Sequence, residues 1–359
     1  MKEAERRRLN RKLRPGSLVI FEGGVCEAKA AEANPLADFS YLPAKKKQRL
    51  SEMKFGKLPD ISGIDFSLPP DAPQTGLLLA GLPKREGPPR LYIGCTGWSM
   101  KEWVGRVYPP GTRAKDHLHA YSRQFNTIEL NTTHYRIPDA ELIEKWYRES
   151  ASDFRFCPKI PQSISHSQNL GLGSGLIPAF SEAVLGLKEK LGCCFMQLPP
   201  YFDIGRLPQL EKFLKAFPRE IPLAVELRHE SWFSRPENGE AVFSLLQAYG
   251  IATVITDVAG RRDVLHQRLT NGTALVRFVG NGLHPTDYSR IGQWAERLAD
   301  WFALGLKEAF FFPHEPDNLL APELAVYVLE KAKENITEVQ TRGPKLIGEE
   351  GRGQQMSLF

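Results

Sequence analysis

Several short apolar runs in this chain close on charged or amide side chains, and their spacing suits chemistry at one shared site. In Thr127-Ile128-Glu129-Leu130-Asn131, side chains that alternate along a strand put Ile128 and Leu130 on one face and Glu129 and Asn131 on the other. The same alternation in Val225-Glu226-Leu227-Arg228-His229 separates Val225 and Leu227 from Glu226 and Arg228. Lys159, Gln197, Asp257, Arg277 and His314 close comparable runs, and Thr96 and Trp98 follow the first of them. Carboxylates beside cations suit an anionic substrate: Lys159, Arg228 and Arg277 would hold a phosphate or carboxylate, and Glu129 or Glu226 would move a proton. His229, Asp257 and His314 would assist catalysis, while Thr96, Trp98, Asn131 and Gln197 would line the substrate.

Other chemistries fit the same residues less well. Glu129, Glu226 and Asp257 with His166, His229 and His314 supply the ligand types of a divalent-metal site. Three cations at the same place would repel the metal, and no H-x-x-x-H or H-x-D signature supports one, so a metal is possible but not favoured. Glu129 and Glu226 would serve a glycosidase if they stood about 5–10 Å apart. The plainest reading is structural, with Glu226 and Arg228 as a buried ion pair and His314 as a loop cap.

These residues need a scaffold that brings strand ends together. Strand-like runs fall at 91–95, 126–131, 153–159, 193–198, 222–228, 252–257, 273–279 and 308–313. Between them, 139–150, 179–191, 209–217, 239–249 and 288–304 carry apolar residues at helical spacing. Strands alternating with helices over this length predict an α/β fold, a (β/α)8 TIM-type barrel across 91–335 with its site at the C-terminal strand ends. A doubly wound sheet is the alternative, and the G-x-G-x-x-G turn that usually marks it is absent.

The flanks differ in composition. Residues 1–90 hold 17 Lys and Arg against 11 Asp and Glu, and 10 of the 27 prolines, whereas 91–359 carry a net charge of −1. This reads as a basic, proline-rich extension that ornaments a core; Arg6-Arg7-Arg8, Arg11-Lys12-Arg14 and Lys45-Lys46-Lys47-Arg49 are either solvated or set against phosphates. Residues 336–359, rich in glycine and charge, read as a flexible tail. Five cysteines without C-x-x-C spacing argue against a disulfide framework, and Cys193-Cys194 read as core. No apolar run is long enough to span a bilayer, and Met1–Arg14 lacks the apolar core of a secretory signal, so no membrane partner and a cytoplasmic location are expected.

Ile93-Gly94-Cys95-Thr96-Gly97-Trp98-Ser99, Glu102-Trp103 and Tyr108-Pro109 resemble the opening signature of domain-of-unknown-function family 72. So do the blocks 125–136, 156–161, 224–233 and 275–278, in order, over roughly 91–330. The resemblance implies a TIM-type barrel and no particular reaction. The terminal Gln355-Met356-Ser357-Leu358-Phe359 looks like the bacterial sliding-clamp-binding peptide, with Gln355, Leu358 and Phe359 as its contacts. Together these point to a hydrolase or lyase acting on a phosphate- or sugar-containing group in DNA and recruited by the clamp. The alternatives are an enzyme for a phosphorylated sugar or carboxylic acid, and a non-catalytic adaptor.

Overall fold

The computed structural model describes residue 56, residues 58–348, and the backbone of three earlier strands. The chain divides into two compact units, Met1–Pro59 and Asp60–Phe359. In the first, strands β1 (Leu18–Phe21), β2 (Gly24–Ala28) and β3 (Phe39–Leu42) form an antiparallel sheet in that order. The basic clusters at 6–14 and 45–49 lie outside the described residues, as do Gln355, Leu358 and Phe359.

The second unit is an α/β fold whose sheets are parallel. Strands β4 (Arg90–Ile93), β5 (Thr127–Leu130), β6 (Arg155–Pro158), β7 (Cys194–Gln197), β8 (Leu223–Glu226), β9 (Ala252–Asp257), β10 (Thr273–Val279) and β11 (Glu308–His314) coincide with the eight expected runs. A ninth, β12 (Gln340–Arg342), was not expected. Seven strands pair in the order β12-β4-β11-β10-β9-β8-β7, and β5 pairs with β6 alone. A closed barrel ladder is therefore not shown. A few backbone bonds outside these ladders reach across the two seams, from Glu129 N–H to Cys95 O (3.0 Å) at one, and from Ile160 N–H to Phe195 O (2.8 Å) and Gly192 N–H to Phe156 O (2.7 Å) at the other.

The seam between β4 and β5 has a local cause. β12 occupies the edge of β4 from Arg90 to Tyr92. Beside it, Asn126 substitutes a side-chain amide for a strand backbone: its Oδ1 accepts from Ile93 N–H (2.7 Å) and its Nδ2 donates to Leu91 O (2.9 Å). Gly94 is required there, since a Cβ would collide with the Thr127 carbonyl.

Helices cover one face of the sheets. α1 (Pro73–Gly81) is followed by α2 (His117–Gln124), α3 (Ala140–Glu149), α4 (Gln162–Ser165), α5 (Leu176–Leu185), α6 (Leu207–Ala216), α7 (Pro236–Ala248), α8 (Pro285–Leu304) and α9 (Ala321–Asn335). Asp139 caps α3 by accepting from Leu142 N–H, and His284 and Asp287 form a capping box for α8. α8 buries Ile291, Trp294, Leu298 and Trp301, the stripe that helical spacing requires. On the other sheet face, Tyr92, Cys157, Phe195, Ala224, Val254, Leu275, Phe310 and Phe312 share one apolar cluster. Burial raises the Cys157 thiol pKa to about 12, and Cys193 and Cys194 are likewise buried.

Both expected flanks are partly built into this unit. Residues 60–90 belong to it: α1 begins with Pro73 in its first turn, where a missing N–H costs nothing, and Asp71 accepts from Arg297 (2.6 Å) and Trp301 Nε1 (3.0 Å). Residues 336–348 are not a spacer either, because Ile336 and Leu346 are buried and Ile347 N–H bonds Arg106 O. Gly343 and Pro344 end β12 without releasing the chain from the core.

Candidate functional site at the strand ends

Side-chain alternation brings the expected residues together. Arg277, from β10, donates through Nε and Nη2 to both Glu129 oxygens (2.8 and 3.0 Å) and through Nη1 to Glu226 Oε2 (2.9 Å). Asn131 donates to Glu129 Oε1 (2.9 Å), and His314 Nε2 lies 3.0 Å from Glu129 Oε2. Arg228 donates to Glu226 Oε1 (2.6 Å) and Gln197 Nε2 to Glu226 Oε2 (2.8 Å). Lys159 Nζ donates to Gln197 Oε1 (3.1 Å). Six strands thus contribute to one connected network of charge-assisted bonds.

The electrostatics divide the network in two. Burial alone would raise the Glu129 pKa, but Arg277 and His314 outweigh it and hold the carboxyl well below its ordinary value. Burial likewise opposes the ionised form of Glu226, and Arg228 and Arg277 still bring it down to about 2. Both carboxylates are therefore fixed anions. Lys159 goes the other way: burial first, then Arg277, lowers its pKa to about 8 against the pull of Glu129 and Glu226. It is only 8 % exposed and forms no ion pair among the described residues.

Two consequences bear on the alternative chemistries. The Arg277 guanidinium fills the gap between Glu129 and Glu226, where a glycosidic oxygen or attacking water would have to stand. Among the described residues, no three His, Cys, Asp or Glu side chains are grouped as a metal ion requires.

Other expected site residues are placed elsewhere. Asp257 does not join the network. On β9 the alternation puts Ala252, Val254 and Thr256 with the inner cluster, so Asp257 points to the helices and binds Arg290 (3.0 Å), Trp294 Nε1 (2.8 Å) and Arg262. Thr256 is the residue that parity selects, and its buried hydroxyl has no partner among the described residues. His229 caps a short turn, its Nδ1 accepting from Ser231 N–H (3.1 Å). Trp98 packs edge-on against Trp146 and Phe156, and Thr96 stands half-buried after β4.

Sequence reasoning took Asn131 from the segment after β5 but assigned no role to Thr133 or His134. Thr133 Oγ1 lies 2.9 Å from Leu130 O and 2.7 Å from Lys159 O, docking this turn on the end of β6. His134 Nδ1 lies 3.0 Å from Ile160 O, and its ring is 5.4 Å from that of His166. Burial, then Lys159 among the nearby charges, lowers the pKa of His166, and burial lowers that of His134. The signal for them was a polar turn at 132–136 directly after a strand end, within the family-like block 125–136.

Fold and site together define an α/β protein with a cation-rich polar centre at the C-terminal ends of parallel strands. The chain belongs to the family described as "Protein of unknown function DUF72", which matches residues 92–347. The UPF0759 protein YecE of Escherichia coli K12 is 31% identical over 267 residues, covering 69% of this chain and 95% of that one. The UPF0759 protein YunF of Bacillus subtilis 168 is 32% identical over 202 residues, covering 53% and 70%. A DUF72 family crystal structure from Enterococcus faecalis V583 superposes with a TM-score of 0.57 at 20% identity, covering 71% of this chain and 98% of that one. That structural likeness speaks to the fold alone. Among the described residues no helix is long and apolar enough to cross a membrane.

Proposed function

We propose that the strand-end cluster is the substrate site of an enzyme acting on a phosphate- or carboxylate-bearing compound, with Lys159 as the anion contact and proton-transfer group. The observation that carries this reading is the charge count. Glu129 and Glu226 face Arg277, Arg228 and Lys159, leaving one more cation than anion in a buried setting. A buried ammonium hydrogen-bonded to a neutral amide is costly unless an anion completes it. In this reading Glu129 and Glu226 orient Arg277 instead of moving protons, because groups held so far below neutrality are weak bases. Lys159, brought down to about 8, lies nearer working pH than either carboxylate. The reading also has the parallel strands close into a (β/α)8 barrel, supported by side chains from both sheets sharing one inner cluster and by the backbone bonds across both seams.

The test is calorimetric titration with inorganic phosphate at pH 7. Binding that weakens at least about tenfold in Lys159→Met supports the site. Equal binding by both proteins sinks it.

A second reading, recruitment to DNA by a sliding clamp, rests on the sequence Gln355-Met356-Ser357-Leu358-Phe359. Clamp binding that vanishes on removing 355–359 supports it, and clamp binding by neither form ends it.

A further inference from the structure

Beside Lys159, the loops after β5, β6 and β7 carry four aromatic rings. Tyr135 is 75 % exposed and Tyr201 is 55 % exposed, unusual for rings of this size next to a buried charge network. Between them stand two imidazoles. Tyr135 lies 5.4 Å from His134, His134 lies 5.4 Å from His166, and the Tyr201 hydroxyl donates to His166 O (3.0 Å). The Arg206 guanidinium sits 5.8 Å from the Tyr201 ring. The same turn that carries His134 and Tyr135 is bonded to the Lys159 backbone through Thr133, so the rings and the ammonium are held in one frame. With pKa values below the ordinary histidine value, both imidazoles are uncharged flat surfaces at neutral pH.

Resting on the anion-site reading above, we infer that this rim stacks a planar base, and that the ligand of the site is a nucleotide unit whose phosphate meets Lys159 while its base lies against Tyr135 and Tyr201. Cations beside exposed aromatic faces match what a nucleotide presents: a charged phosphate, and a ring with two π-faces that needs no sequence-specific contacts to stack. A sugar phosphate or small carboxylic acid would leave the two tyrosines unused. The nucleotide unit is either free or part of a single strand, and only the strand adds further phosphates for Arg206 and its neighbours.

The experiment measures affinity of the full chain for inorganic phosphate, ribose 5-phosphate, thymidine 5′-monophosphate and a short oligothymidylate. The expected result is thymidine monophosphate binding on the order of tenfold or more tighter than ribose 5-phosphate, as one stacked base provides. Tyr135→Ala with Tyr201→Ala should bring the nucleotide down to the level of ribose 5-phosphate. Tyr201→Phe, which keeps the ring and loses the hydroxyl, should retain the preference. A further gain for the oligothymidylate that falls steeply with salt identifies the strand, and its absence identifies the free nucleotide. If phosphate and ribose 5-phosphate bind through Lys159 but the nucleotide binds no tighter, or its preference survives loss of both rings, the base-stacking inference is overturned and the anion site stands. Failure of all four ligands overturns both.

Discussion

Two buried charge networks lie within this unit, and they differ in how they are completed. At the outer face of β9, Asp257 and Asp287 are met by Arg290 and Arg262, equal numbers of each sign. Trp294 Nε1 supplies a further bond, and Arg290 lies over Phe278 (4.2 Å) and Phe66 (4.8 Å). At the inner strand ends, two glutamates meet three cations, and the third, Lys159, rests on an amide. The first network is balanced in charge and clamps sheet to helix, with only Arg290 Nε left without a hydrogen-bond partner among the described residues. On the reading proposed above the second is completed by an anion from solution, and that difference would separate buried charge that serves the fold from buried charge that serves a ligand.

The strongest way to break this comparison is to remove the central arginine of each network. Arg277→Met leaves Glu129 and Glu226 buried without their shared partner, and Arg290→Met does the same to Asp257 and Asp287. Each should lose about 3–5 kcal/mol in urea unfolding. Only Arg277→Met should also lose phosphate binding. Equal binding losses in the two variants would erase the distinction.

Lys159→Met should move stability the opposite way. A lysine held near 8 in the folded state and 10.5 in the unfolded state disfavours folding below pH 8, and that penalty is relieved as pH rises from about 8 to 10.5. Wild-type stability should therefore gain a rising component over this window, and Lys159→Met should lack it while being roughly 1–3 kcal/mol more stable at pH 7. Phosphate affinity should fall in the same interval as the ammonium loses its proton. A destabilised Lys159→Met would place the lysine with the charges that serve the fold.

Glu226 gives the smaller, acid-side contrast. Its pKa falls from 4.5 to about 2, so its contribution is fully present above pH 4.5 and is lost as pH falls toward 2. Glu226→Gln should flatten that part of the acid unfolding curve, by up to about 3 kcal/mol between the two limits. An unchanged acid limb would show that Arg228 and Arg277 hold Glu226 no more tightly than water does.

Much of this was legible in the sequence, for a physical reason. Strands buried on both faces read as compact apolar runs, and a period of two assigns Glu129, Glu226, Lys159, Gln197 and Arg277 to one side. Asp257 was misplaced because it closes its run on the other parity, which points to α8. β12 was missed because three residues hold no measurable periodicity, and α1 because a proline-rich stretch conceals a helix that uses proline only in its first turn. Pairing was the hidden layer. Nothing in a linear pattern shows that Arg277 bridges both glutamates, a fact that turns two candidate acids into holders of a guanidinium.

β4 bears on the order in which the molecule is made. It is the first strand of the larger unit to leave the ribosome, yet its ladder partners are β11 and β12, drawn from residues 308–314 and 340–342. Until those segments emerge, β4 has no strand ladder; its early partners are the Asn126 amide and, just past its end, the bonds of Cys95 to the Tyr121 hydroxyl and to Glu129 N–H. The nascent chain must therefore carry an unpaired apolar strand through most of its synthesis, with the sequence separation that makes folding slow and exposed edges hazardous. The last described stretch of the larger unit is what allows its first strand to settle.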